Sequence, residues 1–143
     1  MLHLASQSPR RRELLTQLGV DFRVIDVDVP ELRAAQESPR EYVNRVARDK
    51  ARAGLAALAG AAGAAVLGAD TEVVLDDEVF GKPRDALDAA AMLRRLSGGT
   101  HAVISAVWLV DARGERSACC VSRVRFAELD DPALEAYVAT GES

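Results

Sequence analysis

The 143-residue chain is 49% hydrophobic and 28% charged, a composition that predicts one globular domain with its own apolar core. Its 22 acidic residues outnumber 18 basic ones, and the net charge of -4 argues against a basic face for nucleic acid or an anionic membrane. Adjacent Cys119 and Cys120 point to opposite faces of a predicted strand, which disfavours a mutual disulfide. With neither a leader nor a long apolar run in the sequence, we expect a cytoplasmic protein without membrane or nucleic-acid partners.

The N-terminal residues predict a helix that begins with positive charge. Ser8 is a typical N-cap and Pro9 a typical first residue, because a hydroxyl can accept an orphan N–H and proline has none to lose. An apolar stripe, expected to be buried on the same face as Arg11, consists of Leu14, Leu15 and Leu18. The first turn contains Arg10, Arg11 and Arg12. Because the helix N-terminus already carries about half a positive charge, this cluster favours an anionic ligand, above all phosphate. Ion pairs with nearby acids are the alternative.

Two elements follow that carry candidate site residues. Residues 21–29 alternate polar and apolar side chains, as in a half-buried strand, and Glu31 comes at its end. Ser38 and Glu41 form a capping box that opens a second helix, which runs into an alanine-rich stretch. Lys50 falls on the apolar face of this helix, where an ammonium needs an anionic partner. A lysine whose stem covers apolar surface while its head reaches water is the alternative.

A near-continuous apolar strand over residues 65–69 leads directly to Asp70. Gly68 within it is small enough to let another group approach the backbone closely. A carboxylate at the end of a buried strand can hold a divalent cation or take a proton from water. The sequence Asp76–Asp77 predicts a two-residue hairpin turn, which brings Lys82 opposite Thr71 and beside Asp70. A turn-capping acid, or a purely structural ion pair between Asp70 and Lys82, is the alternative.

The remaining sequence predicts one helix, two strands and a final short helix. The first helix begins near Asp85 and ends at Gly98–Gly99, the strands cover 101–110 and 116–126, and the last helix covers 132–139. We find no internal repeat, no Walker motif and no G-x-S-x-G pattern. His3 and His101 are too few and too far apart to indicate a metal cluster, so we interpret both as structural.

The candidate site residues are cations, carboxylates and small hydroxyls. They are Arg10, Arg11, Arg12, Lys50 and Lys82; Glu31 and Asp70; and Ser6, Ser8 and Thr71. This set suits metal-assisted attack of water on a polyphosphate. The cations, with Mg²⁺ or Mn²⁺ held by Glu31 and Asp70, would neutralise the phosphates, and a carboxylate would orient or deprotonate the water.

Four motifs follow one another along the chain, namely LASQSPRRRELL at 4–15, GADT at 68–71, GKP at 81–83 and LSGGTH at 96–101. In this order they resemble the Maf (septum formation) family of nucleoside triphosphate pyrophosphatases. The resemblance implies one domain over residues 1–143 with an α/β fold, a mixed twisted sheet with flanking helices around a cleft, similar to the inosine triphosphate pyrophosphatases. It also implies a divalent metal, hydrolysis of a nucleoside triphosphate to its monophosphate and pyrophosphate, and, by analogy, a homodimer.

The resemblance also assigns roles by position. It implies that Asp70 is the proton acceptor and Glu31 an acidic residue of the cleft. The implied polar set near the phosphates and the metal is Ser6, Arg11, Lys50 and Lys82. Arg10 and Thr71 look like the subgroup that acts on dTTP and UTP, whereas a glutamine after the aspartate marks members that prefer 7-methylated guanine nucleotides. We therefore expect pyrimidine triphosphates, including modified ones, as substrates.

The family pattern continues beyond Ser143 into a Lys-Ala-Gly segment and a glutamine that helps to choose the base. The resemblance thus implies a domain that lacks the family's C-terminal segment, which bears on activity, stability and base selectivity. The alternative to an enzyme is a non-catalytic, nucleotide-binding regulator of cell division or septation.

Overall fold

The computed structural model describes residues 1–59, 61–81 and 85–128, which form both helices and strands. In chain order the elements are β1 (Leu2–Ala5), α1 (Pro9–Gln17), β2 (Phe22–Val24), α2 (Pro39–Ala57), β3 (Ala65–Leu75), β4 (Glu78–Phe80), α3 (Ala86–Leu96), β5 (Thr100–Asp111) and β6 (Gly114–Arg125). Hydrogen bonds order the strands β2-β1-β3-β5-β6, and β4 pairs with β3 outside this path. This mixed sheet with helices confirms the predicted α/β class. Lys82 and the helix expected at 132–139 lie outside the described residues.

The chain divides into two units, of which the first contains Met1–Thr71 and Ser105–Cys120. In this unit β1 pairs in parallel with β2 on one side and with β3 on the other. Its buried core cluster consists of Ala5, Ala51, Val66 and Val110. Because Ala5 pairs with Gly68, the carboxyl end of β1 lies beside the middle of β3. Ligands of parallel sheets bind at such carboxyl ends.

Helix α2 begins with the predicted capping box. The Ser38 hydroxyl accepts a hydrogen bond from the Glu41 backbone N–H at 3.1 Å, and the Glu41 carboxylate accepts one from the Ser38 backbone N–H at 3.2 Å. Pro39 occupies the first turn, where it has no N–H to leave unpaired. The helix is therefore fixed at its start, and its 19 residues carry the buried side chains that face the sheet.

Removal of this cap should weaken α2. We expect Ser38→Ala to lower the free energy of unfolding by about 1 kcal/mol, because an N–H of the first turn loses its acceptor. Urea unfolding followed by circular dichroism measures the change. Ser38→Asp keeps an acceptor oxygen at the same place and serves as the control, with a stability close to that of the parent chain. Equal losses for both variants would show that the cap does not stabilise the helix.

The contact between α2 and β3 depends on glycine, as the small residues of β3 predicted. A Cβ placed on Gly68 would lie 2.3 Å from the backbone oxygen of Ala47 and 2.6 Å from the backbone nitrogen of Ala51. On the helix side, a Cβ on Gly54 would lie 2.7 Å from Val66 Cγ1. Such distances are shorter than packed carbon atoms allow, so the helix backbone lies directly on the strand backbone. Lys50 lies in the same turn of α2, between Ala47 and Ala51, so this packing brings it toward the part of β3 that follows Gly68.

Helix α1 has the predicted span, but the burial predicted for its stripe is wrong. None of its residues is fully buried, and Leu14 and Leu18 are 56% and 67% exposed. Arg11 and Leu15 are half-buried, so one narrow edge of the helix faces the unit. Three of the nine residues of the helix are arginines, and this polar character explains why the helix is not more deeply buried. Ser8 is the N-cap residue, as expected, but its hydroxyl makes no capping hydrogen bond.

Strand β2 is shorter than the sequence pattern predicts. It covers Phe22–Val24 in place of residues 21–29, although the Ile25 N–H still donates to the Leu4 carbonyl at 2.9 Å. The reason is its partner, because β1 has only four residues and offers no backbone groups for pairing with the residues that follow Ile25. Ile25 and Val27 nevertheless pack against the core cluster, which accounts for the apolar alternation. Glu31 therefore lies in the irregular segment between β2 and α2, and not at a strand end.

The second unit contains Glu72–Ile104 and the chain from Val121 onward. Asp76 and Asp77 both have positive φ angles, 48° and 69°, as a type I′ hairpin turn requires, and Leu75 pairs with Glu78. Helix α3 is capped by Asp85, whose carboxylate accepts the Asp88 N–H at 2.8 Å. Both features confirm the sequence prediction. The buried ring of His101 packs edge-on against Phe126, with ring centroids 4.8 Å apart, and burial lowers the pKa of its imidazole.

Candidate active site

Asp70 is the last of three consecutive buried residues in β3, and the exposed Thr71 follows it. Gly68, Ala69 and Asp70 are buried, and Thr71 is exposed. The strand itself continues to Leu75, as the predicted hairpin requires, and its last three residues pair with β4. The pairing with β1 stops at Gly68, two residues earlier. Asp70 is therefore a carboxylate, 5% exposed, just beyond the carboxyl end of a parallel strand pair.

One ammonium group lies between the two carboxylates that the sequence singled out. Lys50 Nζ is 3.0 Å from Glu31 Oε1 and 3.7 Å from Asp70 Oδ1. The Lys50 side chain is 17% exposed, that of Asp70 7% and that of Glu31 50%. The trio thus runs from the interior, at Asp70, to the solvent, at Glu31. The prediction that Lys50 lies on the inner face of α2 and has an anionic partner is confirmed.

Helix α2 also holds the segment that carries Glu31. The Tyr42 hydroxyl donates to the Glu31 carbonyl at 2.8 Å, and the Arg45 guanidinium donates to the Leu32 carbonyl at 2.8 Å. Arg45 is itself fixed by Glu37, whose carboxylate lies 2.7 Å from its Nε. Because these donors and Lys50 belong to the same helix, the irregular segment and the ammonium are positioned together.

Burial dominates the electrostatics of Asp70. Desolvation raises the pKa of its carboxyl above the ordinary value of 3.8, because water no longer stabilises the charged form. The Lys50 ammonium opposes this rise in pKa, Glu31 adds to it, and Arg11 and the Thr71 backbone N–H oppose it. The net direction is upward, so the attraction of Lys50 does not fully compensate for the lost hydration. A carboxylate with a raised pKa is a stronger base than an exposed one.

The raised pKa gives a pH-dependent prediction for stability. The folded chain binds the Asp70 proton more tightly than the unfolded chain, and this difference stabilises the fold. The stabilisation is complete below pH 3.8, the ordinary pKa of the carboxyl, and is lost as the pH rises through the pKa of the folded state. We therefore expect Asp70→Asn to melt at a higher temperature than the parent chain at pH 7, with a difference that shrinks toward acidic pH. Thermal unfolding across pH measures this difference. The exposed Asp21→Asn is the control, and a lower melting temperature for Asp70→Asn at pH 7 would contradict the argument.

Arg11 connects α1 to both neighbouring strands. Its Nη1 donates to Ser6 Oγ at 3.3 Å, and its Nη2 donates to Thr71 Oγ1 at 3.1 Å. Ser6 is buried directly after β1, and its hydroxyl also accepts the Ser8 backbone N–H at 3.1 Å. The guanidinium therefore bridges the ends of β1 and the exposed part of β3, one residue from Asp70. The structure brings Ser6, Arg11, Lys50, Asp70 and Thr71 into one region of the first unit.

The other residues predicted at the start of α1 make fewer side-chain contacts. Arg12 Nη2 donates to the Gln7 carbonyl at 3.3 Å, and Arg10 is exposed, without a hydrogen-bond partner among the described residues. Ser8 is half-buried at the helix start. Neither Arg10 nor Arg12 forms an ion pair with an acid within the described ranges, which does not support the alternative for these two arginines. Lys82 lies outside the described residues.

Sequence reasoning missed Ser105. Ser105 belongs to β5, the strand next to β3, and its Oγ lies 3.0 Å from Thr71 Oγ1. The available signal was a small hydroxyl within an otherwise apolar strand, flanked by Ile104 and Ala106, both buried. That pattern is too common to identify a site without knowing which strands are neighbours.

The donor set is compatible with a divalent cation that also binds phosphate. Asp70 Oδ2 is buried and has no hydrogen-bond partner within the described part of the chain, which leaves an oxygen with an unused coordination site. Glu31 shares the ammonium of Lys50 with Asp70 and is exposed enough to meet a ligand. No cluster of three or more His, Cys, Asp or Glu occurs among residues 1–59, 61–81 and 85–128. Two carboxylates suit Mg²⁺, which usually takes its other ligands from water and substrate phosphates.

Known proteins were compared with the chain by sequence and by fold. A dTTP/UTP pyrophosphatase from Xanthomonas oryzae pv. oryzae (strain MAFF 311018) is 60% identical over 99% of this chain and 76% of its own length. A nucleoside triphosphate pyrophosphatase from Xylella fastidiosa (strain 9a5c) is 52% identical over the same shares. The structure of the Staphylococcus aureus Ham1 protein has a TM-score of 0.54, with 14% identity over 87% of this chain and 70% of that one, and thus shares the fold.

Within the described residues, no helix has the length and apolar character that a membrane span requires.

The model of the family described as Maf-like protein matches residues 1–143. Together with relatives at 52–60% identity, this match confirms the resemblance carried by the four motifs: the chain belongs to the Maf family.

Proposed function

We propose that the chain hydrolyses dTTP and UTP, and modified pyrimidine nucleoside triphosphates, to the monophosphate and pyrophosphate. One observation carries the proposal: the buried Asp70 carboxylate, one oxygen of which has no hydrogen-bond partner among the described residues, lies beside Lys50 and close to the Arg11–Thr71 contact. The names of the Xanthomonas relatives, dTTP/UTP pyrophosphatase, support the same activity. Nothing in the comparisons favours a regulator that binds nucleotide without hydrolysing it.

The cations bind the triphosphate in this proposal. Arg11 is positioned by hydrogen bonds to two hydroxyls, and its planar guanidinium is suited to bind a phosphate oxygen. Arg10 and Arg12 lie at the same helix N-terminus, where the backbone dipole also attracts an anion. Lys50, Lys82, Ser6 and Ser8 complete the proposed phosphate contacts. Their combined charge would stabilise the pyrophosphate as it leaves.

Asp70 is the proposed proton acceptor. It is ionised when it takes a proton from the attacking water, and its raised pKa makes the transfer more favourable than for an exposed carboxylate. Its buried Oδ2 is the oxygen available for this role, since Oδ1 faces Lys50. The water then bonds to phosphorus and the phosphoanhydride between the α- and β-phosphates breaks. The proton on Asp70 returns to solvent after product release.

Glu31 and Asp70 are the proposed ligands of Mg²⁺ or Mn²⁺. Such an ion, when bound, supplies positive charge to the phosphate oxygens and polarises water. Without a bound metal ion, Lys50 holds the two carboxylates close enough together for both to bind the same ion. Glu31 is exposed, so its oxygens are accessible to a metal ion that enters with the nucleotide. Arg10 and Thr71 are the proposed determinants of base choice, and the exposure of both suits contact with a substrate.

Pyrophosphate release tests the proposed function. The purified chain is incubated with dTTP, UTP, CTP and GTP in the presence of Mg²⁺ or Mn²⁺, and pyrophosphate and monophosphate are quantified. We expect dTTP and UTP to be hydrolysed faster than CTP and GTP. Binding of nucleotide without turnover would instead identify a sensor, and release of single phosphates would identify a different hydrolase. The homodimer and the cytoplasmic location stay predictions.

A further inference from the structure

The contact between Thr71 and Ser105 leaves one hydroxyl proton without a partner. Thr71 Oγ1 lies 3.1 Å from Arg11 Nη2 and 3.0 Å from Ser105 Oγ. A guanidinium has only donors, so the Thr71 oxygen is the acceptor in the first contact. The second contact uses one of the two hydroxyl protons, whichever of the two residues donates it.

Both arrangements have the same outcome. If Thr71 donates to Ser105, the Ser105 proton is left; if Ser105 donates, Thr71 accepts twice and its own proton is left. Among the described residues no acceptor is assigned to that remaining proton. Thr71 is exposed and Ser105 half-buried, so the remaining O–H lies at the surface, one residue from Asp70. An O–H group there can bind an acceptor oxygen.

We propose that Ser105 and Thr71 act as one hydroxyl pair, in which each residue orients the other, so that the pair presents one O–H donor to an acceptor oxygen of the bound nucleotide. The inference rests on the proposed function, because it requires a nucleotide at this site. Two oxygens have the required chemistry, a phosphate oxygen and a carbonyl oxygen of the pyrimidine base. Ser105 acts through Thr71 in one arrangement and directly in the other.

The test compares three variants by calorimetric binding of α,β-methylene-UTP, an analogue that cannot be hydrolysed between those phosphates. Ser105→Ala should weaken binding about tenfold, since the hydroxyl that donates to the nucleotide, or that orients the donor, is lost. Ser105→Thr keeps the hydroxyl and should restore most of the affinity. Ser117→Ala, the same substitution at an exposed serine of β6, should bind like the parent chain. Melting temperatures close to the parent value show that each variant is folded.

The choice of ligand distinguishes the two oxygens. If the acceptor is a phosphate oxygen, Ser105→Ala weakens UTP and CTP analogues, and inorganic pyrophosphate, by the same factor. If the acceptor is the base carbonyl that cytosine replaces with an amino group, the UTP analogue loses affinity and the CTP analogue does not. Unchanged affinity of Ser105→Ala, or an equal loss in Ser105→Thr, overturns the inference.

The same measurements separate the inference from the proposed function. A parent chain that binds the analogue but releases no pyrophosphate from UTP contradicts the proposed activity and leaves the Ser105 comparison valid. A parent chain that binds neither the analogue nor pyrophosphate overturns the inference, because the O–H donor then has no nucleotide acceptor.

Discussion

Replacement of Asp70 by asparagine should lower the turnover of dTTP and UTP by about 10²–10⁴-fold, the usual cost of losing a general base. Asparagine has nearly the same shape, so the packing around residue 70 is retained, but its amide cannot take a proton from water. The loss should appear in kcat, measured by pyrophosphate release at saturating substrate. Binding of α,β-methylene-UTP, measured without a divalent cation, should change far less, because the Asp70 side chain itself contributes no positive charge to the phosphates.

A matched control for this prediction is Glu31→Gln, which removes the exposed carboxylate of the same trio. In the proposed mechanism Glu31 holds the cation and takes no proton, so its loss should be offset in part by a higher Mg²⁺ or Mn²⁺ concentration. Asp70→Asn should not be rescued in this way to the parent rate. Turnover within about tenfold of the parent value in Asp70→Asn would remove Asp70 from the role of proton acceptor.

Replacement of Gly68 by alanine should lower the free energy of unfolding by about 3 kcal/mol, at the upper end of the usual cost of overpacking. The new methyl group would lie 2.3 Å from the Ala47 carbonyl oxygen and 2.9 Å from Ala51 Cβ. Both neighbours belong to the backbone or first side-chain carbon of α2, so neither can rotate away. The helix must shift as a whole, which also moves Lys50 relative to Asp70 and should reduce turnover.

Urea unfolding measures the loss of stability, and Gly99→Ala is its control. A Cβ on Gly99 would have its nearest neighbour, the Leu96 carbonyl oxygen, at 3.9 Å, an ordinary contact. We expect that variant to stay within about 0.5 kcal/mol of the parent chain. A Gly68→Ala variant as stable as Gly99→Ala would show that the close approach of α2 and β3 is not required for folding.

Much of the site could be predicted from local sequence patterns, because each pattern has a local physical cause. Periodicity placed Lys50 on the inner face of α2, the capping box fixed the start of that helix, and the apolar run located Asp70 as the last of three consecutive buried residues. Gly68 indicated a close backbone approach, and the structure shows it to be the contact with α2. These features depend on residues near one another in sequence.

The parts that could not be predicted depend on neighbours distant in sequence. Strand β2 is short because β1 is short, and no pattern within residues 21–29 contains that information. Ser105 belongs to the site because β5 lies next to β3, which is a property of strand order. The leucines of α1 have helical spacing, yet Leu14 and Leu18 stay exposed, since spacing alone does not determine how deeply a helix docks.

The ammonium between Glu31 and Asp70 means that the folded chain supplies its own counterion. With two carboxylates and one ammonium, the trio has a net charge of about -1 at neutral pH. Without Lys50, the two carboxylates would repel each other in a partly buried environment, where water screens charge poorly. The two carboxylates can therefore come together during folding without a cation from solution. In the proposed mechanism, a phosphate that binds the Lys50 ammonium would remove this compensation, so the two carboxylates would attract a divalent cation most strongly when the nucleotide is bound.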